Sequence, residues 1–94
     1  MVKYIDWDTK KNEQLKIDRG VSFENIIDAL FHGTVIGTIN HPNQKKYSGQ
    51  KIYIIIIHDY VYIVPYVEDD TKIFLKTIFP SRKYTRDFIE KGVV

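Results

Sequence analysis

The 94-residue chain contains no cysteine, so it can form neither a disulfide nor a thiolate metal site. Histidine and carboxylate side chains remain as metal ligands, but the three histidines, His32, His41 and His58, lie far apart in the sequence. Zinc sites usually show closely spaced ligands. We therefore expect a protein of a reducing compartment that binds no metal and no other cofactor.

Long apolar runs are also missing. The longest, 52–57, is far shorter than the roughly 20 residues that a helix needs to cross a bilayer. The first residues soon turn charged, which does not match a targeting peptide. A chain of this length is expected to form one domain, 1–94. These features predict a single soluble domain in the cytoplasm, with no membrane partner.

The sequence does contain a dense β pattern between residues 51 and 79. The run 51–58 is β-branched or aromatic at nearly every position, which predicts a central strand covered on both faces. The runs 60–67 and 72–79 follow after short polar junctions. Parallel neighbours would need a crossover of about a dozen residues, so the three strands should form an antiparallel meander. Because Pro65 cannot donate to the ladder, we expect a bulge or a strand end there.

A short strand, 3–7, and a polar helix are predicted at the start of the chain. Asp8 can cap the free amides of this helix, and Gly20 ends it. The helix contains few apolar residues, notably Leu15 and Ile17 near its end. We therefore expect a surface helix with a narrow contact stripe.

A second helix follows, with Ser22 as its N-cap and Gly33 as its stop. Its apolar residues recur at i, i+3, i+4, i+7 and i+8, which predicts a face that packs on the sheet. The residues of that face are Phe23, Ile26, Ile27, Leu30 and Phe31. A weaker strand, 34–39, leads into the polar loop 41–50, which either contacts a substrate or is a solvated connection.

Positive charge is concentrated at the C-terminal end. From Lys72 onward six Lys or Arg residues stand against two carboxylates, a net charge of +4, whereas the rest of the chain sums to −2. This end contains the last strand and a helix that Ser81 caps and Gly92 stops, in which Tyr84 and Phe88 form an apolar pair. Such a cluster either attracts polyanions or is the solvated face of a helix.

Short segments near both ends of the chain carry a resemblance to a known family. The string Trp7-Asp8-x-x-Lys11-Asn12, followed by Arg19-Gly20-Val21-Ser22-Phe23-Glu24, resembles the opening of the BrnT toxins. Ser81-Arg82-Lys83 is similar to the segment that begins the last helix of these toxins, and the layout of elements agrees over nearly the whole chain. Arg19 stands where the family usually has histidine, and the acidic run Glu68-Asp69-Asp70 stands where it often has an arginine.

The resemblance implies the α+β fold of the RelE/ParE superfamily. This fold has a short N-terminal strand, two helices packed on a mainly antiparallel sheet that ends in a three-strand meander, and a C-terminal helix. The resemblance also implies the toxin of a type II toxin–antitoxin module, a metal-independent ribonuclease that inhibits translation and growth and is neutralised by a DNA-binding antitoxin. Two other interpretations stay open: a non-catalytic RNA- or protein-binding module, and a ParE-like protein that inhibits a topoisomerase by contact.

Metal-free RNA cleavage needs a base for the 2′-hydroxyl, cations for the phosphorane and an acid for the 5′-oxygen. Alternation along the last strand predicts one shared face, which the chain continues onto the next helix. The residues of that line are Lys72, Phe74, Lys76, Ile78, Arg82 and Lys83. The predicted catalytic residues are Lys76, Arg82 and His58. The predicted RNA-binding residues are Lys72, Lys83, Arg86 and Tyr66.

Each of these predictions has a structural alternative. Lys76 and Arg82 would otherwise be surface charges that keep the sheet soluble. His58, after the apolar strand, is either a core histidine bonded to backbone or a titrating acid or base. Tyr66 is first a packing residue, although on an open face it would stack on a base. Glu68 would act as a base only if it curled over the sheet, and otherwise belongs to a turn.

Overall fold

The computed structural model describes residues 3–91. Its strands are β1 (Tyr4–Trp7), β2 (Val35–Asn40), β3 (Lys51–Ile57), β4 (Tyr60–Glu68), β5 (Lys72–Leu75) and β6 (Phe79–Pro80). Its helices are α1 (Thr9–Arg19), α2 (Phe23–His32) and α3 (Arg82–Thr85), and α3 continues into a π-helical turn, Arg86–Glu90. The predicted α+β class is confirmed, whereas the stop predicted at Gly92 lies outside the described residues.

All six strands belong to one mixed sheet, in the order β1-β5-β4-β3-β2, with β6 paired to β4. β1 and β5 are parallel, and the other pairs are antiparallel. The meander of β3, β4 and β5 is therefore present as predicted. None of the helices within residues 3–91 is long and apolar enough to cross a membrane.

β3 is a central strand, as its composition predicted. It pairs with β2 on one side and with β4 on the other, and Ile52, Ile54 and Ile55 are all buried. The β3–β4 hairpin closes through His58 and Asp59, which have positive φ values of 49° and 61°. Two-residue turns of this kind match the twist of the flanking strands. His58, which the sequence placed at the end of the strand, is therefore an exposed turn residue.

Pro65 does not interrupt β4, so the bulge or strand end predicted there is wrong. The β3–β4 register runs unbroken past it, with Pro65 opposite Ile52. The Pro65 carbonyl accepts a hydrogen bond from the Lys76 amide at 2.8 Å, so the side of Pro65 that lacks an N–H faces β5. The neighbouring strand is the one that breaks, because β5 ends at Leu75 and pairing resumes at Phe79.

The last predicted strand is thus two strands joined by an irregular segment, 76–78. Within it Ile78 is fully buried in the same core as Leu75, while Lys76 is exposed. The face predicted from alternation therefore ends at Lys76, because the irregular backbone turns Ile78 to the opposite side. The Thr77 hydroxyl is buried and has no hydrogen-bond partner among the described residues.

The ends of α1 and α2 confirm the predicted caps. Asp8 accepts hydrogen bonds from two amides in the first turn of α1. The Ser22 hydroxyl accepts one from the Asn25 amide, and the Asn25 side chain accepts one from the Ser22 amide. Both helices end at a glycine in the left-handed region, Gly20 at φ 67° and Gly33 at φ 77°.

α2 packs on the sheet through a face that is rotated from the predicted one. Phe23 and Ile26 are fully buried and Ala29 is nearly so. Ile27 is only half-buried and Phe31 is 78% exposed, so the prediction that both belong to the buried face fails for Phe31. With 3.6 residues per turn, Phe31 lies about 140° around the helix axis from Ile26. A single sheet cannot cover so wide an arc.

α1 reaches the interior through two side chains, Leu15 and Asn12, which are 2% and 3% exposed. The Asn12 side chain accepts a hydrogen bond from the Phe23 amide and donates one to the Glu24 carboxylate, both at 2.8 Å. This donation is the main cause that lowers the pKa of Glu24. Ile17 is 79% exposed, because two helical steps from Leu15 lead to the opposite side of the helix.

α3 covers the part of the β4 edge that β6 leaves open. The Val61 amide donates to the Thr85 hydroxyl, and the Val61 carbonyl accepts from the Ser81 amide, both at 2.8 Å. The Thr85 hydroxyl also donates to the Ser81 carbonyl at 2.7 Å. Ser81 caps the helix by accepting from the Tyr84 amide, and the rings of Tyr84 and Phe88 lie 5.7 Å apart, as the predicted pair. The start of this helix is therefore fixed to the sheet.

Candidate functional site

Cations of the last third of the chain follow the course of β4. We call this set the cationic strip: Lys72, Lys76, Arg82, Lys83 and Arg86. Lys72 is half-exposed and the other four are exposed. The backbone that bears them accompanies β4 from Glu68, opposite Ile73, to Val61, which bonds to Ser81. At about 3.3 Å per residue this stretch of β4 is about 23 Å long.

The first part of the cationic strip surrounds an aromatic ring. The Nζ atoms of Lys72 and Lys76 lie 5.9 and 5.6 Å from the ring centre of Phe74, which is half-exposed. A hollow of about 150 Å³ adjoins this ring and is lined by Val67, Glu68, Asp69, Lys72 and Phe74. A ring beside two ammonium groups can stack on a base while the cations neutralise the adjoining phosphates.

The second part of the strip lines a cavity of about 330 Å³, which we call the arginine cavity. Its lining residues are Tyr60, Arg82, Thr85, Arg86 and Glu90. Arg82, Arg86 and Glu90 are spaced four residues apart, which places them on one face of a helix. Two guanidinium groups that converge on a cavity can bind one phosphoryl group through several parallel hydrogen bonds.

Lys76 and Arg82 do not share a site. The Lys76 amide bonds to the Pro65 carbonyl, whereas Arg82 follows Ser81, whose amide bonds to Val61. These two points on β4 are four residues apart, or about 13 Å along the strand. Lys76 therefore belongs with Phe74 and Lys72, and Arg82 belongs with the arginine cavity.

His58 lies in a third region, away from both Lys76 and Arg82. It lines a cavity of about 290 Å³ beside α2, where the other titratable lining residues are Asp28 and His32. His32 Nδ1 lies 2.9 Å from the Asp28 carbonyl oxygen. No cluster of three or more His, Asp or Glu residues within the described range is placed to hold a metal ion. The three predicted catalytic residues are thus distributed over three separate places.

Tyr66 is buried, which favours its interpretation as a packing residue over contact with RNA. It is 3% exposed, and its ring stacks on Tyr53 at 4.0 Å with an interplanar angle of 9°. Burial raises the pKa of Tyr66 well above its ordinary value. The reason is the strand register, because Tyr66 points to the face that α1 and α2 cover. Half-exposed rings near the cations include those of Phe74, Tyr60 and Tyr84.

Glu68, the last residue of β4, and Asp69, which follows it, are both held by neighbouring groups. Glu68 accepts a hydrogen bond from Lys3 Nζ at 2.8 Å and lies 3.6 Å from Lys51 Nζ. The hydrogen bond from Lys3 is the main cause that lowers the pKa of Glu68. Asp69 accepts from the amides of the following turn, which lowers the pKa of its carboxyl. A carboxylate with a lowered pKa is a poor general base. Asp69 belongs to the turn, as predicted, whereas Glu68 is the last residue of β4 and pairs with Ile73.

The residues that carry the sequence resemblance have structural roles near the N-terminus. The Trp7 ring stacks on Phe23 at 5.7 Å, Asp8 and Ser22 cap the two helices, and Asn12 joins them. These contacts determine the arrangement of helices and leave these side chains little part in chemistry.

Arg19 is the exception in that segment. Its guanidinium donates to the Ile78 carbonyl and lies 5.2 Å from the ring centre of Phe79, which is 40% exposed. Arg19 thereby holds the irregular segment between β5 and β6 from the side of α1. The contact joins residues far apart in the chain, so no local pattern indicated it.

The sequence also left Tyr60 and Glu90 out of the candidate site. The spacing of Arg82, Arg86 and Glu90 was a signal for the carboxylate, since it repeats every four residues. Tyr60 had no such signal, because it reaches the cavity from the β3–β4 hairpin. Comparisons of the chain with protein-family models, with curated proteins and with solved structures find no match.

Proposed function

We propose that this chain is the toxin of a type II toxin–antitoxin module, with a RelE/ParE-like fold, and that it acts in the cytoplasm as a metal-independent ribonuclease. The proposal is supported by the order of elements, in which two helices precede a meander and a final helix, the layout that the resemblance to BrnT toxins implies. The observation that carries it is the cationic strip beside β4.

The cationic strip has few internal counter-ions. Within residues 3–91 its only ion pair joins Arg86 Nε to Asp87 at 3.8 Å. Like charges that are held close together repel one another, and a polyanion relieves this repulsion and releases its own counter-ions on binding. The half-exposed ring of Phe74 between two lysines adds the aromatic surface that binders of single-stranded RNA use. RNA is therefore the ligand that suits this surface best.

The proposal is tested by induced expression and by cleavage of RNA under single-turnover conditions in EDTA. We expect growth arrest and cleavage by the unmodified protein. The variant Lys72→Ala/Lys76→Ala should bind RNA more weakly and reduce the salt slope of binding by about one per lysine. The matched control is Lys10→Ala/Lys11→Ala, which removes the same charge from exposed positions of α1. Equal losses in both pairs would contradict a specific RNA surface.

A non-catalytic RNA-binding module is the second candidate, and one observation favours it. Lys76, Arg82 and His58 lie in three separate places, so they do not form one acid–base set. This candidate predicts that RNA is bound with the same salt dependence but stays intact in EDTA throughout long incubation with excess protein. Cleavage under these conditions would eliminate it.

The partner that we propose is a DNA-binding antitoxin that covers the cationic strip. Because several cations would be neutralised at the interface, association should slow steeply as ionic strength rises, while dissociation changes much less. Stopped-flow measurements over a range of salt concentrations can separate the two rates. An association rate that is insensitive to salt would place the interface on an apolar surface elsewhere.

A further inference from the structure

The arginine cavity combines four reactive groups from two parts of the fold. Tyr60 comes from the hairpin side, and Arg82, Arg86 and Glu90 come from the last helix and its π-helical turn. Thr85 also lines the cavity, but its hydroxyl already bonds to backbone groups of Val61 and Ser81. A phenol, two guanidinium groups and a carboxylate therefore remain available to a ligand.

Hydrogen bonds fix the two sides of the arginine cavity relative to each other. Val61, the neighbour of Tyr60, is bonded through both its amide and its carbonyl to the start of α3, each at 2.8 Å. On the far side, the Lys91 amide bonds to the Arg86 carbonyl at 2.9 Å and closes the π-helical turn that presents Glu90. Single π-helical turns within helices are frequently found at functional sites.

The carboxylate of Glu90 is not committed to a structural ion pair. The ion pairs formed within the described part of the chain do not include Glu90, and Arg86 is paired at its Nε with Asp87 instead. By contrast, the acidic residues near the first part of the strip, Glu68 and Asp69, are held by lysines and by turn amides. Of the carboxylates beside the cationic strip, Glu90 is therefore the best placed to take up a proton.

We infer that the arginine cavity is the RNA cleavage centre, with Glu90 as the general base and Tyr60 as the general acid; this inference rests on the proposed ribonuclease function. Glu90 takes the proton from the ribose 2′-hydroxyl, and the 2′-oxygen forms a bond to phosphorus. Arg82 and Arg86 stabilise the charge on the phosphorane. The bond from phosphorus to the 5′-oxygen then breaks as Tyr60 gives its proton to the leaving oxygen. The products are a 2′,3′-cyclic phosphate and a 5′-hydroxyl, and solvent restores both side chains.

The test compares Glu90→Gln and Tyr60→Phe with the unmodified protein in single-turnover cleavage, with RNA affinity measured separately on a non-cleavable 2′-deoxy substrate. Each variant should lose about 10²- to 10⁴-fold in rate while its affinity stays within a few fold. The matched controls are Glu13→Gln and Tyr4→Phe, at exposed positions of α1 and β1, which should cleave at the full rate. Melting curves verify that all four variants fold.

A substrate with a sulfur atom in place of the 5′-oxygen separates the two roles. A thiolate leaves without being protonated, so this substrate should restore most of the rate of Tyr60→Phe but not that of Glu90→Gln. Equal rescue of both variants, or of neither, would overturn the assignment of acid and base.

The outcomes distinguish this inference from the proposed function. If the unmodified protein cleaves RNA and Glu90→Gln cleaves equally fast, the cleavage centre lies elsewhere and the ribonuclease proposal stands. If the unmodified protein neither cleaves RNA nor arrests growth, the proposed function fails and the assignment of Glu90 and Tyr60 fails with it.

Discussion

Two regions of the molecule use their polar groups in different ways. The first is the layer formed by the helices α1 and α2, and the second is the cationic strip on the last third of the chain. In the helix layer, the side chains of Asp8, Asn12 and Ser22 each satisfy backbone amides, and the apolar residues between them are buried. Along the strip, exposed cations have one ion pair among the described residues. The polar groups of the helix layer therefore fix how α1 and α2 pack, and the strip offers the charge that a ligand can use.

The largest effect is expected in the helix layer. Ile26→Asp buries an unpaired carboxylate in the core, which costs several kcal/mol and so is comparable with the whole stability of a small domain. We expect this variant to lose its cooperative thermal transition in circular dichroism. Phe31→Asp on the same helix is the control, because that side chain is 78% exposed and its replacement should change stability by no more than about 0.5 kcal/mol. Similar melting of the two variants would mean that the buried face of α2 is wrongly assigned.

The next largest effect is expected at the cationic strip, where a substitution should change the rate of RNA cleavage rather than the stability of the fold. Arg82→Ala should reduce the rate of single-turnover RNA cleavage by about 10²-fold or more, since it removes a donor to the charge of the transition state. Arg82→Lys should retain much of the RNA affinity but lose rate, because an ammonium group cannot give two parallel hydrogen bonds. Lys10→Ala serves as the control for loss of one exposed cation. Full toxicity and full rate in an Arg82→Ala protein that melts normally would assign Arg82 to the solvated face of the helix.

A moderate effect on stability is expected where α1 meets α2. Asn12→Ala leaves the amide of Phe23 without its partner in a buried place, which costs about 1 to 3 kcal/mol. Urea unfolding should show this loss, while the cleavage rate per folded molecule stays unchanged. Gln14→Ala, which removes an exposed hydrogen bond to Asp18 on the same helix, should change stability by no more than about 0.5 kcal/mol. A matching loss in both variants would argue against a special role for the buried amide.

The smallest effect concerns the ion pair between Lys3 and Glu68 and its dependence on pH. The pKa of Glu68 is lowered from its ordinary value of 4.5, so the pair contributes stability above that pH and loses it as the pH falls through the folded-state pKa. Glu68→Gln should therefore be less stable than the unmodified protein at neutral pH, by at most about 1 kcal/mol because the pair is partly exposed. At a pH well below the folded-state pKa of Glu68, the two proteins should unfold at nearly the same urea concentration. A difference that persists at this pH would need another cause.

Local signals in the sequence were sufficient for α1 and α2 with their ends, and for the start of α3. Asp8, Ser22 and Ser81 cap helices because each side chain bonds to amides within three residues, and Gly20 and Gly33 end helices because the left-handed backbone there favours glycine. The apolar run of β3 indicated in a similar way that it lies between two other strands, as it does, since a strand covered on both faces is typically apolar throughout.

The site was decided by contacts between distant parts of the chain. Pro65 stays within β4 because its neighbour on the β5 side breaks instead, and that break turns Ile78 inward and ends the predicted cationic face at Lys76. Tyr60 meets Arg82, Arg86 and Glu90 only because Val61 bonds to the start of α3. The sequence by itself therefore determined which residues are charged and on or beside which element each lies. Only the tertiary structure decided which of them share a cavity, because that depends on strand pairing and on a break in register that no local spacing encodes.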